Sequence, residues 1–274
     1  MIERYLNNRF FTLYAIPLIL GALTTLSFEP YNFTILNFII FPIFFYLLVF
    51  INKKSRAVYR KKPHKKNLFV FGLVFGFGFY FSGITWITNS LTFDNNFEIL
   101  IPFALILIPL FLSLFLAFTT FIIGQYLKLN LPSLIIFSAS IAFSDYLRAN
   151  LLTGFPWNLW AYSTISTNEI IQIINRIGLH SYNLLVITVF TLPIIIFFRI
   201  NKMKKILSLI SVLFIIFCFY IYGNYVINQN KNLLENINEK TYVKIISPNF
   251  NLEYGLSKDD VEKILKKLIR FSDP

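Results

Sequence analysis

Of 274 residues, 56% are hydrophobic, 19% aromatic and only 14% charged, against about 25% charged in an ordinary soluble domain, so the composition excludes a typical water-soluble enzyme and points to a membrane protein. The net charge of +12 would suit nucleic acid, but eight of the 25 Lys and Arg residues sit in one stretch, Lys53 to Lys66, between two apolar runs; this is the signature of a cytoplasmic loop and not of a DNA-binding face. The single cysteine, Cys218 in "FIIFCFYIY", excludes a disulfide framework or a Cys-based metal site within the chain.

Apolar runs long enough to cross a hydrocarbon core of about 30 Å predict seven spans. They fall at about 10 to 28, 33 to 52, 67 to 87, 99 to 127, 131 to 147, 180 to 198 and 206 to 226. The first has no small-residue cleavage site after it and reads as a retained helix, not a signal peptide. In the third, Gly72 and Gly76 lie four apart, with Gly78 and Ser82 nearby, so one helix face lets a neighbour approach closely. The fourth carries Pro102 and Pro109, which predict a tilt or kink near its start. The fifth is the weakest and ends in Asp145.

With the N-terminus inside, fifteen basic residues fall on the cytoplasmic side and two, Arg148 and Arg176, on the outer side before residue 226. That asymmetry orients the bundle and leaves the C-terminal segment outside the cytoplasm. After Tyr225 the composition changes: residues 226 to 274 hold seven acidic and eight basic residues and no apolar run long enough to span. The expected division is a transmembrane helical domain over 1–226 and the start of an extracytoplasmic α/β domain over 227–274. Within the latter, "TYVKIISPN" reads as a short buried strand and "SKDDVEKILKKLIRF" as an amphipathic helix capped by Ser257. One strand and one helix do not bury a core alone.

The fifth span is followed by "LLTGFPWNLWAYS", Leu151 to Ser163. Gly154 and Pro156 break the helix there, and Trp157, Trp160 and Tyr162 suit headgroup depth, as an ordinary aromatic belt also would. Asp145 and Arg148 are three apart and share a helix face, so they are expected to pair at the membrane rim. Charged groups at such an edge also hold non-helical backbone or meet a lipid headgroup. His64 and His180 read as interface residues. No Ser/His/Asp order, glycine-rich phosphate loop or metal-ligand spacing occurs, so no cofactor and no metal is expected.

In chain order, "LSFEPYNF", "GFGFYFSGITWITNSL", "DYLRANLLTGFPWNLWAYS" and "YVKIISPNFNLEYGLS" resemble apolipoprotein N-acyltransferase, and the resemblance covers nearly the whole chain. It implies a polytopic bundle in the bacterial inner membrane carrying a periplasmic nitrilase-like domain, whose first strand and helix would close this chain. It also implies a reaction of lipoprotein maturation: a cysteine thiolate takes a fatty acyl chain from a membrane phospholipid and passes it to the free amino group of an apolipoprotein's N-terminal diacylglyceryl-cysteine. A glutamate base and an oxyanion-stabilising lysine complete that scheme. The family's Glu, Lys and Cys are expected beyond Pro274, so residues 1–274 are expected to be inactive alone. Asp145 stands where the family usually has a glutamate, Ala161 where it has a glycine, and Leu256 where a tryptophan is common. The residues expected to shape a lipid-facing rim beneath the outer domain are Arg148, Gly154, Phe155, Pro156, Trp157 and Tyr162, with Asp145 as partner of Arg148. A small polytopic transporter, which would show midplane charges or inverted repeats, and a non-catalytic membrane scaffold are the competing readings.

Overall fold

A computed structural model describes residues 8–56, 64–152, 154–236, 243–248, 250 and 256–272. Among the described residues, the longer helical segments before residue 236 are α1 (Phe11–Ser27), α2 (Asn37–Arg56), α3 (His64–Gly83), α4 (Ile101–Ile123), α5 (Leu131–Asn150), α6 (Leu179–Thr191, continued as a 3₁₀ segment to Phe197) and α7 (Lys202–Glu235). A separate helix, α8 (Lys258–Ser272), follows. Among the described residues, five helical stretches are long and apolar enough to cross a membrane: Thr34–Lys54, His64–Gly83, Asn95–Ile123, Leu179–Phe197 and Lys202–Glu235. The other two expected spans are helical but weaker in kind. α1 is apolar and shorter, and α5 carries Ser133, Ser138, Ser144, Asp145 and Arg148 on its buried face.

Helix ends follow local chemistry. Asn130 caps α5 by accepting from the Ser133 amide at 3.0 Å, and Pro102 opens α4, where its missing N–H costs no hydrogen bond. Pro109 sits inside α4, buried against its neighbours. The small residues of α3 serve two partners. A Cβ on Gly72 or Gly76 would collide with Thr120, Leu116 and Ser113 of α4, while one on Gly78 would collide with the backbone of Leu18 in α1. Thr120 Oγ1 also donates to the Leu68 carbonyl at 2.9 Å, so α3 and α4 are joined by a hydrogen bond where their backbones approach.

Phenylalanine fills the centre. Phe44 of α2 stacks on Phe75 of α3 with centroids 4.3 Å apart and 5° between planes, and meets Phe137 of α5 edge-on at 5.5 Å. Phe41 and Phe190 extend the same cluster to α6. Offset-stacked and edge-to-face rings are the favoured aromatic geometries, and they hold α2, α3, α5 and α6 as one packed unit.

Two expectations change beyond residue 226. α7 does not stop near residue 226 but runs on to Glu235, because between Gly223 and Pro248 no glycine or proline interrupts the helix. Nearly all of α7 is exposed, with only Val212 and Gly223 buried. The strand expected over residues 241–249 is not formed in its described part: Val243 to Pro248 has no regular structure. A strand needs a neighbour to accept its backbone hydrogen bonds, and the described residues contain no strand at all. The remainder of that stretch lies outside the described residues. α8 forms as expected, with Ser257 Oγ accepting from the Asp260 amide at 3.2 Å and the Val261, Leu265 and Ile269 stripe exposed.

Candidate functional site

The last turn of α5 brings Asp145 and Arg148 to one face, and their side chains pair with Nη2 to Oδ1 at 3.2 Å. The pairing is the expected one. Both residues are only 2% exposed, so the pair is buried within the protein and not open at its surface. The neighbouring chain covers them. Asn183 of α6 donates from Nδ2 to the second oxygen of Asp145 at 2.9 Å, and the guanidinium lies over the Tyr80 ring of α3, 5.3 Å from its centroid.

Arg148 then determines the path of the chain that leaves α5. Its Nη1 donates to the carbonyls of Phe155 and of Trp157, the latter at 2.7 Å. The Phe155 amide donates back to the Arg148 carbonyl at 2.9 Å, and the Gly154 amide to the Leu151 carbonyl at 2.9 Å. A planar fork with several N–H donors can hold a carboxylate and two carbonyls at once; a lysine ammonium has no such fixed geometry. The turn needs glycine at 154, where φ is +71° and a Cβ would run into the Ala149 carbonyl. Leu152 and Asn158 also have positive φ, 57° and 54°. Non-glycine residues in this region are uncommon and persist where surroundings hold them.

Beyond the turn the chain dives back into the bundle. Asn158 is buried beneath Gly83, where any Cβ would collide with its side-chain amide. Trp160 is 1% exposed, stacked on Phe79 at 4.5 Å and edge-on to Phe41 at 4.8 Å. The Ala161 amide donates to Asn183 Oδ1 at 2.9 Å, so one asparagine ties both Asp145 and the returning loop to α6. Ser163 closes the segment: its carbonyl accepts from Thr34 Oγ1 and its hydroxyl from Asn37 Nδ2.

The seven residues expected at a lipid-facing rim therefore divide. Asp145 and Arg148 are buried braces, and Gly154 makes the turn. Pro156 and Trp157 are exposed, with Trp157 half-exposed and its ring 5.1 Å from that of Trp86. Phe155 and Tyr162 are partly buried. Asn183, Tyr80 and the inward-pointing Trp160 were not among the expected residues. An asparagine inside an apolar span was the available signal for the first of these. Cys218 is exposed on α7 and takes no part. What remains is a hydrogen-bonded loop that offers the Trp157 ring outward.

The family model for the apolipoprotein N-acyltransferase N-terminal domain matches residues 20–192, from within α1 to the end of α6, and so contains the whole brace and loop. The chain belongs to the apolipoprotein N-acyltransferase family. Three curated proteins named apolipoprotein N-acyltransferase bear this out. The protein from Brucella melitensis is 32% identical over 178 residues, 63% of this chain and 32% of its own length. That from Rickettsia prowazekii is 28% identical over 208 residues, 76% of this chain and 41% of its own length. That from Allorhizobium ampelinum is 25% identical over 254 residues, 92% of this chain and 46% of its own length. The chain thus spans about a third to a half of the length of the N-acyltransferases it matches.

Proposed function

We propose that this chain is the membrane half of an enzyme that moves a fatty acyl chain from a phospholipid to the α-amino group of an N-terminal diacylglyceryl-cysteine. The observation that carries the reading is the Arg148-held loop. It leaves Pro156 and Trp157 exposed while its own backbone is held by Arg148, and the basic-residue asymmetry supports an orientation of that end away from the cytoplasm. A floor for lipid chemistry needs that combination, since a bilayer offers no water to satisfy loose backbone groups.

In this reading all seven helices span the inner membrane, residues 227–274 begin the periplasmic nitrilase-like domain, and the loop lies beneath it. The chemistry proceeds in two halves. A cysteine thiolate of the outer domain attacks the ester carbonyl of the phospholipid. The C–O bond breaks, the departing alkoxide takes a proton to become a lysolipid hydroxyl, and a thioester forms. The acceptor amine then attacks the thioester carbonyl, loses a proton to the base, and releases the thiolate as the amide forms. The protein supplies a surface that holds two lipid-anchored substrates beside one nucleophile, and positioning of this kind is a large part of catalysis between bound reactants.

In this reading Cys218, exposed at the middle of α7 among apolar residues, is not that nucleophile. Residues 1–274 reconstituted in phospholipid vesicles with a diacylglyceryl-cysteine peptide are therefore expected to give only background acylation, read by mass spectrometry of the peptide. Turnover above background that disappears on Cys218→Ala would overturn this assignment.

A further inference from the structure

Helices α1 and α3 run side by side from the end of the bundle opposite the Arg148-held loop. A Cβ on Gly21 would strike the Phe75 carbonyl and one on Gly78 the Leu18 carbonyl, so the two backbones touch there. Toward the starts of both helices a groove of about 630 Å³ opens, walled by Tyr14 and Leu18 of α1, Leu73 and Phe77 of α3 and Leu110 of α4. That volume is within the roughly 300–1,000 Å³ of ligand sites. Phe10 and Ile19, also on its walls, are exposed, so the groove is open along its side. Asn67 and Phe77 are ten residues apart on α3, about 15 Å at 1.5 Å per residue, which leaves room for an extended acyl chain.

The head of the groove is cationic. Arg9 reaches across it from the start of α1, its Nη2 donating to Asn67 Oδ1 at the start of α3 at 3.2 Å. Lys66 stands on the same side: Leu73 and Phe77 follow it by seven and eleven residues, about two and three turns, so the lysine shares the groove face of α3. Lys65 turns instead to α4, with Nζ 6.0 Å from the centroid of Phe121. Asn67 takes one of the five guanidinium N–H groups and leaves the others to give. Among the described residues the ion pairs are Asp145 with Arg148, Asp260 with Lys263 and Glu262 with Lys266, and none involves Arg9 or Lys66. The described carboxylates before residue 236 follow α1, α3, α5 and α7 or lie in the last turns of α5 and α7, at the other end of the bundle. A planar guanidinium fork and an ammonium over a hydrocarbon slot suit a phosphate that carries an acyl chain. The ammonium of a phosphatidylethanolamine headgroup would stand here among bases with no described carboxylate to meet; a headgroup with no cation of its own avoids that repulsion.

We propose that this groove binds an anionic glycerophospholipid, one acyl chain lying between α1 and α3 and the phosphate resting on Arg9 and Lys66. Basic pockets between membrane helices on the cytoplasmic side take lipids of this class, and the basic-residue asymmetry supports that side for this end. The site is at the far end of α3 from Gly83, which packs on Asn158 of the loop. It is therefore separate from the acyl-transfer reading and stands without it.

The test uses the purified protein in dodecyl maltoside micelles, with phosphatidylglycerol carrying a photoreactive diazirine in one acyl chain. Irradiation and peptide mapping are expected to place adducts on the segments around Tyr14 and Leu73. Unlabelled phosphatidylglycerol should compete roughly tenfold better than phosphatidylethanolamine with the same chains, as two basic groups at an anionic headgroup predict. Arg9→Gln together with Lys66→Gln should bring the two competitors to within about threefold of each other. Lys202→Gln together with Lys204→Gln removes the same charge at the start of α7 and should leave the preference in place. Leu73→Trp fills the groove and should cut labelling of these segments roughly tenfold; Ala15→Trp, from the α1 wall, serves if the first variant leaves the monodisperse peak. Equal competition by phosphatidylethanolamine, an equal loss of preference in the α7 pair, adducts confined to other helices, or undiminished labelling of the folded tryptophan variant would each overturn the proposal.

Discussion

Arg148→Ala is expected to cost about 3–5 kcal/mol of stability, the penalty for stranding one member of a buried ion pair. Three acceptors lose their donor together: the Asp145 carboxylate and the carbonyls of Phe155 and Trp157. Asn183 still donates to Asp145, but one neutral amide does not replace a charged fork. In detergent, the melting temperature followed by the monodisperse chromatographic peak should fall by about 6–20 °C, at about 2–4 °C per kcal/mol for a chain near this size. Arg148→Lys should recover only part of the loss, because an ammonium does not reproduce the planar fork that reaches both carbonyls and the carboxylate. The informative comparison is Asp145→Asn with Arg148→Gln, which removes both charges and should be more stable than Arg148→Gln alone by more than 1 kcal/mol, a coupling that independent sites do not show. A melting temperature unchanged in Arg148→Ala would mean that the loop is held by other contacts.

Trp160→Ala is expected to be nearly as damaging, about 3–5 kcal/mol, through a cavity and not through a lost hydrogen bond. The indole nitrogen of Trp160 has no partner, so no polar group is orphaned when it goes. What goes is the ring between Phe79, Phe41 and Phe28, whose centroids lie 4.5, 4.8 and 6.4 Å away. Lipid tails are as apolar as the core, so the loss within a membrane is one of close packing. Trp160→Phe keeps part of that contact and should cost less than half as much. The same thermal measurement separates the two, and equal stability of Ala and wild type would show that the loop does not depend on its anchor.

Trp157 and Trp160 are three residues apart, identical in type, and opposite in fate: one half-exposed against Trp86, the other in the core. Composition and spacing place both at an interface, and only the partners across the bundle separate them. The same limit explains Asp145 and Arg148. Their spacing of three predicts that they meet, while their burial depends on Asn183, 35 residues beyond Arg148, and on Tyr80 in another helix. The order of helices, the break at Gly154 and Pro156, and the Ser257 cap are local properties, readable from hydrophobic length, glycine, proline and capping chemistry. The extension of α7 to Glu235 was legible in the missing breakers but masked by the rise in polarity after Tyr225. The absent strand at Val243 to Pro248 is the reverse case: the β-branched run is present and the strand to pair with it is not among the described residues.

The Arg148-held loop, which we propose as the floor on which acyl transfer takes place, meets lipid through Trp157. Its side chain is half-exposed and its contribution to the brace is a backbone carbonyl, which Trp157→Ala leaves in place. The measurement is acylation of a diacylglyceryl-cysteine peptide in phospholipid membranes by the intact enzyme, wild type against Trp157→Ala at equal amounts of folded protein. Trp157→Ala is expected to acylate at least tenfold more slowly with an unchanged melting temperature; an equal rate would return Trp157 to an ordinary aromatic belt and overturn the assignment of the loop.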